Sequence, residues 1–272
     1  MKTKNKGEIK MAHQIYENFV LSSIVEDAYN SHLDLARFVT VDASLVGTAG
    51  MKKKINRYSA TSATEKLAMG EGNSKAIEVA LTQHEYDILL AQNKFSYYDE
   101  QAMTDDMLVP VGMEKAGADI FNTQNADIYA EFLKTSQVVN ASALNFDAFV
   151  DASAMLNVEN LAGIEKFAFV SPADVAEIRK NMKETLQYVQ AYATQDYVGT
   201  TIGGVHLYTK RDATKGTIVM GTKEAVTLFV KKGTEVEQKR DADIRKNDVF
   251  TRKYYVVALT DETKAVKIVK GA

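Results

Sequence analysis

The hydrophobic pattern is clearest in the last third of the chain, where short apolar runs alternate with turn signals. The run Lys166–Val170 predicts a buried strand, and Ser171 then supplies an N-cap for a helix that begins at Pro172. Asp174 can act as the acidic half of a capping box, and apolar residues follow at helical spacing: Val175, Ile178, Met182 and Leu186. Further strands are predicted after this strand-to-helix unit: Thr201–Thr209, Gly216–Gly221, Ala225–Lys231, Tyr254–Thr260 and Ala265–Val269.

The pattern in the N-terminal half is weaker. Apolar residues at helical spacing from His13 to Phe38 predict an arm helix and its continuation. Alternation in Met51–Ser59 and Ala76–Thr82 predicts two half-buried strands. The segment between them, Ala60–Lys75, is rich in Thr, Ser, Ala and Gly and shows no periodicity, so it adds little to a core. A loop of this length inside a compact domain needs a special reason.

Two more helices are predicted in the middle of the chain. Tyr98–Phe121 has apolar residues at helical intervals, but Pro110 interrupts it. Because an interior proline removes a hydrogen bond and clashes with the preceding turn, this element is either kinked or made of two pieces. A further helix is predicted from Asn145 to Leu156, before the strand-to-helix unit.

The order of these elements resembles that of tailed-bacteriophage major capsid proteins, which share the Hong Kong 97-type fold. The resemblance is most specific in four segments: Phe169–Asp174, Ile202–Val205, Gly216–Gly221 and Asp241–Tyr255. It implies an α+β subunit with an N-terminal arm, an extended β-hairpin loop, a peripheral lobe with a long spine helix, and an axial lobe. The spine helix would lie in Tyr98–Phe121 or just beyond it, at Ala126–Lys134.

The resemblance also implies a division of the chain: residues 1–40 as N-terminal arm and helix, 41–97 as the extended β-hairpin loop and flanking strands, 98–140 as the peripheral lobe with the spine helix, 141–245 as the axial lobe, and 246–272 as C-terminal strands returning to the peripheral lobe. The chain would thus cross between the lobes more than once. In the family, the extended loop reaches a neighbouring subunit, and apolar residues such as Leu67 and Met69 would be buried only after assembly. A disordered surface loop is the alternative interpretation of this segment.

Composition excludes several classes of protein. The chain has 272 residues, 46% of them hydrophobic, and 33 basic against 36 acidic residues give a net charge of −3. This balance disfavours a dedicated nucleic-acid binder, which needs positive charge against phosphate. Cysteine is absent, which excludes disulfides, thiolate metal sites and cysteine nucleophiles. No apolar run has the length of a secretory signal core or a membrane span, so we expect synthesis in the cytoplasm of the bacterial host and no membrane partner.

No catalytic, cofactor-binding or metal-binding residue is predicted. His84–Glu85 begins a zinc-peptidase motif, but Ile88 stands where the second histidine should be. Asp105 and Asp106 are adjacent and would point apart on a helix. The glycine pairs and the histidines are interpreted as turns and as surface or structural residues: Gly70, Gly72, Gly203, Gly204, His13, His32, His84 and His206.

The function implied by the resemblance is that of a major capsid protein. Such a protein self-assembles into hexamers and pentamers, forms the icosahedral shell of a virion, and encloses double-stranded DNA that it contacts nonspecifically. A portal is an expected partner, and so is a separate scaffolding protein, because the predicted arm helix begins within the first twenty residues. The alternatives are an encapsulin-type bacterial nanocompartment shell and, from another class, an α/β enzyme with an unmarked site.

Two segments of the sequence each allow two interpretations. Some capsid proteins cross-link a loop lysine to a neighbour's asparagine; Lys66 and Lys75 lie in the right region, but no motif fixes a partner, so we predict noncovalent closure. The segment Lys231–Lys253 interleaves eight basic and five acidic residues. It is either a solvated face or an inter-subunit rim, and in the second case Arg240 and Arg245 would contribute to assembly.

Overall fold

The computed structural model describes residues 33–156, 158, 164–181 and 201–271. Within these ranges the strands form a four-stranded sheet, a six-stranded sheet and a two-stranded hairpin. Most of the predicted arm helix, together with Met182 and Leu186, lies outside the described residues. The described part of the arm region begins at Leu33, and Leu35–Phe38 form a short 3-10 helix.

The elements follow one another in this order: β1 Thr40–Asp42, β2 Lys52–Ala60, β3 Val79–Asp87, β4 Leu89–Tyr98, α1 Asp99–Thr104, α2 Leu108–Leu133, β5 Val138–Ala141, α3 Phe146–Met155, β6 Lys166–Val170, α4 Pro172–Asn181, β7 Thr201–Ile202, β8 Val205–Thr209, β9 Thr217–Thr222, β10 Val226–Asp241, β11 Lys246–Leu259 and β12 Ala265–Lys270. A second 3-10 helix, Glu262–Lys264, connects β11 to β12. The mixture of helices and sheets confirms the predicted α+β class.

The long helix α2 begins where the sequence predicted a break. Asp105, Asp106 and Met107 separate α1 from α2, so of the two predicted alternatives, a kinked helix or two pieces, the structure has two pieces. Pro110 does not interrupt α2, because it is the third residue of the helix, where an N–H has no acceptor within the helix. The helix then continues for 26 residues, about 39 Å at 1.5 Å per residue, and includes most of Ala126–Lys134.

The four-stranded sheet has the strand order β1-β10-β11-β4 and is buried on both faces near its middle. Side chains alternate along a strand. Tyr255 and Val257 therefore pack against α2, whereas Val256 and Ala258 pack on the opposite face with Ile55 of the hairpin.

The outer ends of β10 and β11 extend beyond the predicted strands. These ends carry alternating charges instead of an apolar run, and the charges pair across strands. Arg252 lies 2.5 Å from Glu237. Asp248 accepts a hydrogen bond from Ser96 (2.6 Å) and lies 2.9 Å from the Lys94 ammonium. These contacts hold the pKa of Asp248 well below its ordinary value.

The six-stranded sheet has the order β5-β12-β9-β6-β8-β7 and packs one face against α3 and α4. This core includes Phe149 from α3, Ile178 from α4, and Met220 and Ile268 from the sheet. Asn145 caps α3, because its side chain accepts a hydrogen bond from the amide of Ala148 at 3.1 Å. The predicted helix from Asn145 to Leu156 is thereby confirmed, with the cap at its first residue.

The strand-to-helix unit is confirmed and has an additional contact. The Ser171 hydroxyl accepts from the amide of Asp174 (3.1 Å) and donates to its carboxylate (2.8 Å). The other partner of that carboxylate is the amide of Gly216, 3.1 and 3.0 Å from its two oxygens. Asp174 is 1% exposed, and a buried carboxylate requires such donors. It therefore ties the start of α4 to the turn before β9.

An aromatic cluster joins the two sheets through α2. Phe132 of α2 meets the rings of Phe167 and Phe169 in β6 edge-on, with centroids 5.8 Å away in both cases. From the other side, Phe38 packs against Phe167 at 5.0 Å and Tyr208 at 4.5 Å. Because Phe132 and both β6 phenylalanines are buried, this cluster holds the sheets in one fixed arrangement.

Three strands do not follow the predicted division of the chain. β5, of which all but Ala141 lies in residues 98–140, pairs with β12 in the six-stranded sheet. β10, in residues 141–245, pairs with β11 in the four-stranded sheet, while β12, in residues 246–272, pairs with β9 in the six-stranded sheet. The chain thus crosses between the sheets several times, and the lobe boundaries stay a prediction.

Replacing Phe132 with alanine should lower the free energy of unfolding of the unassembled subunit by about 3–5 kcal/mol, because it leaves a cavity between α2 and β6. Urea unfolding followed by near-UV circular dichroism measures this loss. The control Phe146→Ala removes a ring that is 46% exposed and should cost less than about 1 kcal/mol. Equal losses in the two variants would contradict the role assigned to the cluster.

Candidate subunit interface

The inner half of the hairpin β2–β3 is attached to the body of the subunit. Ile55 is 9% exposed and packs with Ile88, Phe229 and Val256 on the outer face of the four-stranded sheet. The Lys53 ammonium lies 4.6 Å from the centre of the Phe229 ring. These contacts anchor the hairpin through side chains on the face that points toward the sheet.

The opposite face of the hairpin changes from charged to apolar along its length. In the antiparallel register, directly opposed residues share a face. Lys54 and Glu85 form an ion pair at 2.7 Å, followed by the hydrogen-bonded amides of Asn56 and Gln83 at 3.2 Å. The next two pairs are apolar: Tyr58 with Leu81 and Ala60 with Val79.

These outer apolar side chains are exposed in the isolated subunit. Tyr58 is 67% exposed, Val79 63% and Leu81 56%. We call these three residues, with Ala60, the apolar hairpin face. The alternation of Val79 and Leu81 with polar neighbours predicted a half-buried strand; the strand is confirmed, but nothing described in this subunit covers its apolar side. The alternation of Val79 and Leu81 with polar neighbours thus indicated an apolar face on this strand, but it did not indicate which molecule buries that face.

The loop beyond the strands, residues 61–78, is held by its own polar contacts. The Glu65 carboxylate accepts hydrogen bonds from the amide (2.7 Å) and hydroxyl (2.5 Å) of Ser74, which lower its pKa. Met69 is fully exposed and Leu67 is 42% exposed, so the structure leaves both predicted contact residues accessible.

A second group of exposed apolar residues lies near the β10–β11 turn, at the outer end of the four-stranded sheet. Its members are more than 40% exposed and come from the α1–α2 region and the β10–β11 turn: Tyr98, Met103, Met107, Val111 and Ile244. The backbone amide of Asp99 donates to the carbonyl of Arg245 at 3.0 Å, which brings these two regions together.

The rim arginines considered in the sequence form ion pairs within the subunit. Arg240 lies 2.7 Å from Asp99, and Arg245 lies 2.5 Å from Glu100. Asn247 also donates to Asp99 at 2.6 Å. These pairs join the β10–β11 turn to the start of α1. The pairing gives both arginines a role inside the subunit, which the charge pattern alone did not indicate.

The described residues hold no cluster of three or more His, Asp or Glu side chains arranged to bind a metal ion. Ile88, at the position of the missing zinc ligand, is buried at 4% exposure. The Asp105 side chain accepts from the amide of Met107 (2.9 Å), a turn-stabilising role. Gly203 and Gly204 have positive φ angles of 57° and 78° in the β7–β8 turn, as expected for turn glycines.

His84 and His206, the two histidines within the described residues, lie in different strands. His84 lies in β3 opposite Ile55, and His206 in β8 lies 3.4 Å from the Thr201 hydroxyl. His13 and His32 are outside the described residues. Among the described helices, none is both long and apolar enough to cross a bilayer.

Comparison with solved structures identifies the fold as the Hong Kong 97-type capsid fold. The mature capsid of bacteriophage PhiM1 matches with a TM-score of 0.69 and 11% identity, over 88% of this chain and 87% of that chain. The SrpI encapsulin of Synechococcus elongatus matches with a TM-score of 0.62 and 10% identity, over 86% of each chain.

In sequence, the chain is 23% identical over 273 residues to the major capsid protein of Staphylococcus phage phiMR11, covering 98% of this chain and 97% of that protein. No protein-family model matches the chain. The resemblance to tailed-phage major capsid proteins that the sequence suggested is thus confirmed.

Charge reversal at Arg240 tests the pairing within the subunit. Arg240→Glu places a carboxylate beside Asp99 and should lower the free energy of unfolding by up to about 1 kcal/mol, as expected for a partly exposed pair. Thermal unfolding of the unassembled subunit measures the change, and Lys223→Glu, at another exposed site, is the control. Unchanged stability together with a loss of particle yield would contradict this assignment and favour an inter-subunit rim.

Proposed function

We infer that the protein is the major capsid protein of a tailed phage and that it forms the shell of the head. The observation that carries this inference is the full-length similarity to a phage major capsid protein, on a chain with the capsid fold. The exposed apolar hairpin face supplies the physical reason for assembly. The protein is structural and is not an enzyme, and its location is the virion.

Burial of the apolar hairpin face against a sister subunit provides part of the assembly free energy. Removing apolar surface from water contributes about 25 cal/mol per Å², and a large side chain that becomes fully buried contributes about 1.5–3 kcal/mol. Specific interfaces typically bury about 1,600 Å² in total. Repeated around local symmetry axes, such contacts stabilise hexamers and pentamers and close an icosahedral shell without any cysteine.

The two sheets correspond to the lobes of the family in this proposal. The four-stranded sheet with α2 as the spine helix forms the peripheral lobe, and the six-stranded sheet with α3 and α4 forms the axial lobe. The hairpin β2–β3 and residues 61–78 form the extended loop that reaches a neighbour. A near-neutral net charge of −3 suits a wall that encloses DNA without base recognition. A scaffolding protein and a portal are the further partners that we propose.

An encapsulin-type compartment is the second candidate, because an encapsulin shares the fold over most of the chain. The phage assignment is preferred, since the curated relative that matches over nearly the full length is a phage capsid protein. Electron microscopy of the purified protein should show closed shells, capsomers or tubes. Shells that copurify with an enzyme cargo would favour the encapsulin, and a discrete monomer at all concentrations would contradict both.

The double variant Val79→Ser with Leu81→Ser should raise the protein concentration needed for assembly at least about tenfold, because two apolar side chains lose their contribution at each contact. Light scattering against concentration measures this threshold. The matched control, Asn56→Ser with Gln83→Ser, changes the neighbouring polar pair on the same face and should assemble nearly as the natural protein does. Both variants should keep the natural thermal midpoint; an unchanged threshold in the apolar variant would contradict the proposed contact.

A further inference from the structure

Arg57 lies at the point where the hairpin β2–β3 leaves the body of the subunit. Its guanidinium donates one hydrogen bond to the Glu262 carboxylate at 2.7 Å and another to the backbone carbonyl of Leu259. The Arg57 side chain is 23% exposed, whereas the next residue, Tyr58, is 67% exposed. The contact thus marks the boundary between the attached and the projecting parts of the hairpin.

The partner of Arg57 is itself held in place. Glu262 lies in the 3-10 helix between β11 and β12, whose first turn is capped by the side chain of Asp261. The second oxygen of Glu262 accepts from the hydroxyl of Ser136 at 3.0 Å, just after the end of α2. Together with the Arg57 guanidinium, this hydroxyl lowers the pKa of Glu262.

The segment around Glu262 is also fixed from the other side. The hydroxyl of Thr135 donates to the carbonyl of Ala265 at 2.8 Å, and Ala265 begins β12. The end of the long helix, the four-stranded sheet and the six-stranded sheet therefore meet at Glu262. A side chain that binds Glu262 and the Leu259 carbonyl is oriented relative to the whole subunit.

The other contacts at the base of the hairpin constrain its direction less. Burial of Ile55 is apolar, and such burial is non-directional. The Tyr86 hydroxyl of β3 donates to the same Leu259 carbonyl, but at 3.5 Å, which is long for a hydrogen bond. The two hydrogen bonds of Arg57 are charge-assisted and depend on angle. They lie at the outer end of the attached part, where they resist tilting most effectively. Lysine could not reproduce them, because its ammonium lacks the planar pair of donors.

A small tilt at this point has a large effect on the contact surface. Ala60 and Val79, at the outer end of the apolar hairpin face, lie three residues beyond Arg57 and its partner Thr82, about 10 Å away at about 3.3 Å per residue. A rotation of about 10° at Arg57 moves an atom at that distance by about 1.7 Å, a large fraction of the ~4 Å limit for apolar contact. A hairpin that is free to tilt would therefore present its apolar face out of place for a neighbour.

We propose that Arg57 and Glu262 form a joint that fixes the direction of the hairpin, and that this joint positions the apolar hairpin face for assembly. The proposal deepens the proposed function and depends on it for its consequence in the shell. Arg57 is a positioning residue, since it acts through the direction of the strand that follows it. The joint itself is a property of the single subunit and can be measured without any shell.

The natural absence of cysteine allows two spin labels to be placed without background. Labels at Ala60→Cys, near the end of β2, and at Asp212→Cys, an exposed side chain of the body, report the hairpin direction as a distance distribution in unassembled protein. With Arg57 present the distribution should be narrow. In Arg57→Ala its width should increase at least about twofold, and Arg57→Lys should give an intermediate width.

Lys54→Ala is the matched control, because Lys54 is a cation on the same strand whose ion pair with Glu85 lies within the hairpin. Its distribution should keep the natural width. An unchanged width in Arg57→Ala, with a cooperative thermal transition retained, would overturn the joint. If Arg57→Ala does not fold, Arg57→Lys decides: a natural width in that variant overturns the proposal, and broadening supports it.

Electron microscopy of the same variants, without labels, connects the joint to assembly. The natural protein should form particles of one size, and Arg57→Ala should form a broader range of sizes or incomplete shells, while Lys54→Ala should match the natural particles. Uniform natural particles from Arg57→Ala would overturn the positioning role and leave the capsid function intact. Absence of particles from the natural protein would instead overturn the capsid function. The spin-label distances, measured on unassembled protein, would still test the joint between Arg57 and Glu262.

Discussion

Within the described part of the subunit, nothing buries the apolar hairpin face. Tyr58, Val79 and Leu81 point away from the four-stranded sheet, because the register of β2 and β3 places the body contacts of Ile55 on the opposite side. Exposed apolar surface of this kind, on an element that projects from a folded body, marks an interaction site. This constraint supplies the physical reason for assembly in the proposed function, because burial of the apolar hairpin face against a second copy lowers the free energy.

The rest of the fold provides a rigid base for that projecting element. The ring of Phe132 packs edge-on against both β6 phenylalanines and ties the long helix to the six-stranded sheet. The sheet that contains β10 and β11 is covered on both faces. Asp174 and Glu262 fix connecting turns through buried or partly buried hydrogen bonds. A subunit that met its neighbours through a loose body would lose in conformational entropy what it gained at the contact.

Local signals predicted the parts of the fold that local interactions determine. Ser171 and Pro172 mark a helix start that depends only on nearby residues, and the break before α2 follows from the same rules. The outer ends of β10 and β11 were not predicted, because Val236 and Val249 are isolated apolar residues in a charged segment, and their burial against Val109 and Met113 of α2 is visible only in the fold. Charged pairs such as Arg252 with Glu237 occupy much of the rest of these ends and give no apolar period. The sequence likewise could not show that Arg240 pairs with Asp99, since the two residues are far apart along the chain.

The candidate interface was predicted only in outline, for a related reason. Alternation in a strand indicates that one face is buried, but it does not say whether the same molecule or another one buries it. A reconstruction of an assembled particle by cryo-electron microscopy answers this question most directly. We expect residues 58–81 to lie on a neighbouring subunit, with the side chains of Tyr58, Val79 and Leu81 covered by it. A closed shell in which these three side chains stay in contact with water would contradict the account.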